Sequence, residues 1–175
     1  INLNVNNACN WACVYCQVDN LTRGGPPPID LDLLERELAG FLEDALHGDF
    51  MAREVPPGVQ RLEDVAFSGN GEPTSAAEFP EAVQRVRGVL QRHGLAGKLL
   101  VRLITNGSML HRPGVQEGIR VLGELAGEVW FKVDVIAPKA LNLPASLPQQ
   151  LIRVLLSENG QDLSAKIDPT ILKPY

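Results

Sequence analysis

Apolar and polar residues repeat with two different periods along this chain, and the change between them predicts strands and helices in turn. Residues 2–6 alternate polar and apolar side chains, as a short strand does. Over residues 30–48 apolar side chains recur at helical spacing, which predicts a helix that begins at an aspartate and ends at a glycine. Apolar runs at 63–69, 98–105 and 128–134 predict three more strands.

Two further helices separate these strands. Residues 75–93 have helical periodicity, with Ser75 as the expected cap and Gly94 as the expected end. Residues 113–127 predict the next helix, because a proline stands early in it and a glycine late. Strands that alternate with helices in this way are typical of a parallel sheet with crossover helices. The predicted fold class is therefore α/β.

The regular alternation stops after Asp134. The remaining segment is rich in proline, and its pattern predicts one helix around residues 147–157 and a short strand near 164–167. We therefore expect two parts: a core over residues 1–134, and a divergent C-terminal segment over 135–175 that packs on this core.

Composition limits the function classes. The chain has 175 residues, 45% of them hydrophobic and 21% charged, which suits one soluble globular domain with a real core. No apolar run approaches the roughly 20 residues that cross a bilayer, and no secretory signal is present, so we expect no membrane contact. The net charge of −5 argues against a strong grip on nucleic acid by this segment alone.

All three cysteines lie close together near the amino end. Cys9, Cys13 and Cys16 have the spacing C-x3-C-x2-C. A secreted disulfide framework needs an even number of cysteines, and bridges within so short a segment would close loops too small to stabilise much. The pattern therefore favours a reducing, cytoplasmic location.

Three thiolates in one loop can bind a soft metal ion or an iron–sulfur cluster. A structural zinc ion usually takes four protein ligands, and neither a second cysteine pair nor a nearby histidine accompanies this loop. A cluster of four irons held by three cysteines would leave one iron free to bind a small molecule. A zinc knuckle and incidental thiols remain the alternatives.

Unusual residues also follow the other predicted strands. Ser-Gly-Asn-Gly-Glu-Pro-Thr stands at 68–74, Thr-Asn-Gly-Ser at 105–108, and the fourth predicted strand ends in Asp134. The carboxyl ends of parallel strands meet at one edge of a sheet or barrel, where such folds place their sites. We expect these segments to converge with the cysteines.

Three stretches together, CNWACVYCQ, FSGNGEPT and TNGSML, resemble the radical S-adenosylmethionine (SAM) enzymes. They are most similar to the iron–sulfur oxidoreductases related to the wyosine tRNA-base-forming enzymes. The resemblance covers roughly residues 2–134 and implies a partial (β/α)6 barrel, similar to a TIM barrel. The family ordinarily continues to six strands, so this barrel is expected to be truncated or divergent after the fourth.

The resemblance also implies cofactors and residue roles. A [4Fe–4S] cluster on the three cysteines would bind SAM, which is cleaved to a radical that abstracts hydrogen from a substrate. The SAM-binding residues that the resemblance implies are Tyr15 beside the adenine, backbone groups from the second strand end, and two polar contacts to ribose or substrate: Tyr15, Ser68, Gly69, Gly71, Glu72, Pro73, Asn106 and Asp134. Glu72 would alternatively only hold its loop by hydrogen bonds, and Asp134 would alternatively cap a helix.

The implied partners are SAM, an electron donor of the flavodoxin or ferredoxin type, and a substrate for which tRNA or another nucleotide is the leading candidate. The acidic composition argues against that substrate. The alternatives are an enzyme that activates a glycyl radical on a partner protein, an iron–sulfur electron-transfer module without SAM chemistry, and a non-catalytic remnant.

Overall fold

The computed structural model describes residues 1–13 and 16–132, and the backbone of residues 151–155. The fold is mixed α/β, as the alternation of periods predicts. In chain order the elements are β1 (Ala8–Cys9), β2 (Thr22–Arg23), α1 (Leu31–His47), α2 (Phe50–Glu54), β3 (Asp64–Phe67), a 3-10 turn (Pro73–Ser75), α3 (Phe79–Arg92), β4 (Leu100–Thr105), α4 (Pro113–Gly123), β5 (Gly127–Lys132) and β6 (Leu151–Leu155).

Four strands form the main sheet in the order β3-β4-β5-β6. β3, β4 and β5 are parallel neighbours, with α3 and α4 as the crossover helices, whereas β6 pairs antiparallel with β5. Alternate side chains of a strand face opposite sides of a sheet. The buried set on one side joins the helices in the core, and includes Val65, Phe67, Val101, Leu103 and Val129.

All three predicted helices form, and α1 agrees with its predicted bounds at both ends, whereas α3 begins later and α4 ends earlier than predicted. The Asp30 carboxylate accepts a hydrogen bond from the Leu33 amide at 2.8 Å and caps α1, which ends before Gly48. The apolar face of α3 is fully buried through Phe79, Val83 and other residues of the core. The short α2 was not predicted, because five residues are too few to show a period.

Two local predictions are wrong: the strand at residues 2–6 and the helix cap at Ser75. Residues 2–6 form no strand. Polar side chains take over their backbone partners, as where the Asn4 amide donates to Asn2 Oδ1 at 2.9 Å. Ser75 does not cap a helix, because its hydroxyl donates to the Glu72 carbonyl at 2.6 Å and α3 begins only at Phe79.

Beyond β5 the prediction is also wrong in part. A helix was expected around 147–157, yet residues 151–155 form β6, whose backbone pairs with β5. An antiparallel fourth strand also departs from the all-parallel sheet of the prediction. The strand expected near 164–167 lies outside the described residues.

Among the described residues the main sheet stays open and no closed barrel forms, so the partial-barrel prediction is not confirmed. No described helix combines the length and the apolar character that crossing a bilayer requires.

Candidate site at the carboxyl ends of the strands

Hydrogen bonds that involve polar side chains join three loops at one edge of the sheet. These are the cysteine loop (residues 9–16), the Gly-Glu-Pro loop (residues 68–74) and the Thr-Asn-Gly-Ser turn (residues 105–108). Asn10 Nδ2 donates to Ser108 Oγ at 2.6 Å, which links the cysteine loop to the turn. The backbone amide of Asn106 donates to Glu72 Oε2 at 2.6 Å, which links the turn to the Gly-Glu-Pro loop.

The cysteines are free thiols with graded exposure. Cys9 ends β1 and, like Cys13, is half-buried, whereas Cys16 is exposed. The Gly24 amide donates to the Cys9 carbonyl at 3.0 Å, and the Cys16 amide donates to the Cys13 carbonyl at 3.0 Å. Within the described part of the chain, no three or more His, Cys, Asp or Glu side chains form a group that could hold a metal ion. The three sulfurs are therefore close in sequence but not gathered around one point.

Glu72 is the buried centre of the site, with 2% of its surface exposed. Its Oε1 accepts hydrogen bonds from the Thr74 amide at 3.2 Å, the Thr74 hydroxyl at 2.5 Å and the Thr105 hydroxyl at 2.6 Å. Its Oε2 accepts from the Asn106 amide. The carboxylate thus holds its own loop and ties it to the end of β4. These contacts support the alternative in which Glu72 holds the loop, and a contact of its side chain with a cofactor stays a prediction.

Two glycines permit the close approach of backbone and neighbouring groups. A Cβ on Gly71 would lie 2.4 Å from the Ala8 carbonyl oxygen, at the start of the cysteine loop. A Cβ on Gly107 would lie 1.8 Å from the Phe131 ring, and its φ of +76° favours glycine as well. A larger residue at 71 would therefore push the Gly-Glu-Pro loop away from the cysteine loop, and one at 107 would push the Thr-Asn-Gly-Ser turn away from β5.

The other predicted residues of the Gly-Glu-Pro loop have structural contacts. The Ser68 amide donates to the Ile1 carbonyl at 3.0 Å, so the first residue runs beside β3. Gly69 has a φ of +156° and lies against the Asn2 side chain. Pro73 is buried and begins the 3-10 turn. That the backbone of Ser68 to Pro73 contacts an ammonium group stays a prediction.

Asn106 lies at the centre of the turn. Its Oδ1 accepts hydrogen bonds from the amide and the hydroxyl of Ser108, at 3.0 and 2.6 Å, and its Nδ2 donates to Asn10 Oδ1 at 3.1 Å. A contact of Asn106 with ribose or substrate stays a prediction. Tyr15 and Asp134, the other two predicted contacts, lie outside the described residues.

The sequence prediction missed the role of asparagine. Five of the first ten residues are asparagines, and their side chains bind the loops around them. Asn4 is almost fully buried and donates to the Ala8 carbonyl at 2.9 Å, while Asn7 Oδ1 accepts from Asn70 Nδ2 at 2.6 Å. The density of asparagine near the cysteines was the available signal, because this side chain readily replaces backbone partners in loops.

A polar cluster on the sheet face opposite the helices was also missed. Arg102 bonds to Asp64, and its Nε donates to Glu128 Oε2 at 3.1 Å. Its guanidinium lies 5.0 Å from the centre of the Trp130 ring, and the indole N–H donates to the same Glu128 oxygen at 3.0 Å. Arg102 on β4 is the register partner of Glu128 on β5, whereas Asp64 on β3 pairs with Leu100, two positions before Arg102. The cluster therefore joins all three strands on this face of the sheet.

No family model matches the chain, and no solved structure matches it.

Proposed function

We propose that this chain is the core of a radical SAM iron–sulfur oxidoreductase, in which Cys9, Cys13 and Cys16 hold a [4Fe–4S] cluster. The observation that carries the proposal is the hydrogen-bonded junction of the cysteine loop with the two loops that complete the resemblance. The fold alone brings such loops to one edge of the sheet, but here hydrogen bonds of Asn10, Glu72 and Asn106 join the three motifs directly.

The donor set fits such a cluster by its chemistry. Three unbridged thiols in one loop match a cluster that keeps one iron for a small molecule, whereas a structural zinc ion usually takes four protein ligands. Incidental cysteines are among the most buried residues of proteins, yet Cys16 is exposed and the other two are only half-buried. Exposure of this kind suits ligands better than packing residues.

A cluster held by Cys9, Cys13 and Cys16 would supply the electron for reductive cleavage of SAM, and with it the radical chemistry that removes hydrogen from a substrate. The protein groups have supporting roles. Glu72 fixes the Gly-Glu-Pro loop, so that the carbonyl groups from Ser68 to Pro73 can accept hydrogen bonds from the SAM ammonium. Gly71 keeps this loop close to the cysteine loop. Tyr15 beside the adenine, and Asn106 and Asp134 toward ribose or substrate, complete the proposed site.

The proposed partial barrel comprises residues 1–132 within this fold. β3, β4 and β5 follow one another in parallel with their helices on one face, as in the wall of such a barrel. Residue 1 runs beside β3, in the place of a preceding strand. The opposite face, which includes Ile104 and Trp130, would line the interior. The substrate, with tRNA or another nucleotide as the leading candidate, would enter there.

Anaerobic reconstitution tests this function. The protein is treated with iron and sulfide, desalted, and measured for bound iron and for its electron paramagnetic resonance spectrum with and without SAM. Dithionite is then added, since the flavodoxin- or ferredoxin-type donor is unidentified, and 5′-deoxyadenosine is measured by chromatography. We expect about four irons per chain, a spectral change on SAM addition, and 5′-deoxyadenosine.

A Cys9→Ser variant is the control, and it should lose the cluster. Bound cluster without a spectral change or product would indicate an electron-transfer module instead. Zinc in place of iron would indicate a structural site. Either result would refute the radical SAM proposal.

A further inference from the structure

We propose that Asn10 is a positioning residue that holds Cys9 against the Thr-Asn-Gly-Ser turn. Cys9 is then the preset ligand of the loop, by which we mean the cysteine whose position is fixed before a cluster binds. We call the contacts of Asn10 with Ser108, Asn106 and Cys9 the clamp. The role of Cys9 as a ligand rests on the proposed function, whereas the clamp rests on these contacts alone.

Both ends of the Asn10 amide bind the turn. Its Nδ2 donates to Ser108 Oγ at 2.6 Å, and its Oδ1 accepts from Asn106 Nδ2 at 3.1 Å. The same Oδ1 lies 3.7 Å from Cys9 Sγ, within the range of a hydrogen bond to sulfur. One side chain therefore contacts both the turn and the neighbouring thiol.

The partners of Asn10 are themselves fixed. Ser108 Oγ accepts from Asn10 and donates to Asn106 Oδ1 at 2.6 Å, so the three side chains form a closed ring of hydrogen bonds. Each amide nitrogen in this ring donates and each amide oxygen accepts. The ring is also joined to the Gly-Glu-Pro loop, because the backbone amide of Asn106 donates to the buried Glu72 carboxylate. Asn10 is thus bonded to a turn that is itself bonded to a buried side chain.

The three cysteines differ in how firmly they are held. Cys9 lies in β1, has its carbonyl bonded to the Gly24 amide, and stands beside the clamp. In residues 1–13 and 16–132, Cys13 and Cys16 have only the backbone bond that joins them to each other. Loss of the clamp should therefore act on Cys9 first.

Residues that orient a metal ligand without touching the metal typically change metal affinity by about 10- to 100-fold when removed. If Cys9 is the preset ligand, an Asn10→Ala variant should lose affinity for the cluster by at least about tenfold. A residue with a purely structural role would lower the stability of the protein without this selective effect at one cysteine.

The first test uses the metal-free protein. Alkylation by iodoacetamide at fixed pH is followed at each cysteine by mass spectrometry. In Asn10→Ala we expect the rate at Cys9 to rise several-fold relative to Cys16 of the same chains. Asn6→Ala is the matched control, because that asparagine also makes two hydrogen bonds, to the Gly25 carbonyl and from the Ala8 amide, but does not contact the turn.

Variants of Ser108 make the test independent of the fold of Asn10→Ala. Ser108→Ala removes two of the three bonds of the ring and should raise the Cys9 rate, whereas Ser108→Thr keeps a hydroxyl and should keep the parental rate. Equal Cys9 rates in Asn10→Ala and Asn6→Ala would overturn the proposal. If Asn10→Ala fails to fold, an unchanged rate in Ser108→Ala would overturn it equally.

The second test measures iron retained by the reconstituted protein against a chelator. Asn10→Ala should release iron faster than both the parent and Asn6→Ala, and equal release would refute the preset-ligand role. A parent that binds no iron while Asn10→Ala still exposes Cys9 would leave the clamp standing and would refute the proposed function instead. The two failures are therefore distinguishable.

Discussion

Removal of the Glu72 carboxylate is the sharpest test of how the site is held together. In Glu72→Ala, four donors lose their acceptor: two amides and two threonine hydroxyls, at 2.5 to 3.2 Å from the carboxylate. They surround a side chain that is 2% exposed, so water replaces the acceptor poorly.

The magnitude follows from these bonds. A hydrogen bond to a charged group contributes about 1.5–3 kcal/mol, and an unsatisfied buried donor costs about 1–3 kcal/mol. Four bonds in one network do not add, and partial collapse recovers some energy, so we expect Glu72→Ala to lower the free energy of unfolding by about 3–5 kcal/mol. Glu72→Gln keeps the three bonds at Oε1 and sets an amide nitrogen against the Asn106 N–H. We expect it to cost only about 1–3 kcal/mol.

Urea unfolding followed by circular dichroism measures both variants. With a slope of about 2 kcal/mol per molar urea, a loss of 4 kcal/mol moves the midpoint by about 2 M. Glu37→Ala, on the exposed face of α1, is the control and should stay within about 0.5 kcal/mol of the parent. A Glu72→Ala protein within about 1 kcal/mol of the parent, or a glutamine variant equally damaged, would refute this account of the site.

Three further predictions concern the frame of the site. Gly107→Ala should lower stability by about 2–3 kcal/mol in thermal melts, because its Cβ would overlap an aromatic ring 1.8 Å away and φ is positive; an unchanged melt would contradict this. Arg102→Ala should cost about 2–4 kcal/mol in urea unfolding, since it removes the positive charge that Arg102 places beside the buried Glu128 carboxylate; a cost below about 1 kcal/mol would refute it. Hydrogen bonds from Arg85 and then Arg92 lower the pKa of Glu35 from its ordinary 4.5. The ion pairs of Glu35 with Arg85 and Arg92 therefore stabilise the fold at pH values above the ordinary pKa, and this contribution is lost as the pH falls through the lowered pKa. Glu35→Gln should accordingly lose less stability in acid, as measured by the midpoint of urea unfolding.

The sequence predicts the elements whose signals are local. α1 combines an amphipathic period with a capping aspartate and a terminal glycine, and its bounds agree with the prediction to within one residue. β4 ends at Thr105 and α4 begins at Pro113 as predicted, because buried alternate positions and a leading proline are read directly from the chain. The predicted end of α4 at 127 is wrong, since the helix ends at Gly123 and Gly127 begins β5. The α/β class follows from these elements.

The wrong predictions concern segments whose structure depends on partners distant in sequence. The alternating Asn and apolar residues at 2–6 imitate the period of a strand, but their asparagine side chains bond to loops up to 71 residues away, and the segment does not join the sheet. The apolar run at residues 151–155 is too short for its period to distinguish a helix from a strand. Its pairing with β5 makes it a strand. Such choices are made by tertiary contacts, which no single stretch of sequence displays.

The same reasoning explains why the site is built from polar groups. Loops that must bring backbone carbonyls close to a ligand are rich in glycine, and glycine has no side chain with which to pack. Their position must then be fixed by hydrogen bonds from outside, and the donors and acceptors for this come from Glu72 and the asparagines. Since Asn106 bonds to Glu72 through its backbone and to Asn10 through its side chain, the three loops form one connected unit. A disturbance at the end of β4 therefore reaches the first cysteine through two residues, without any change in the apolar core.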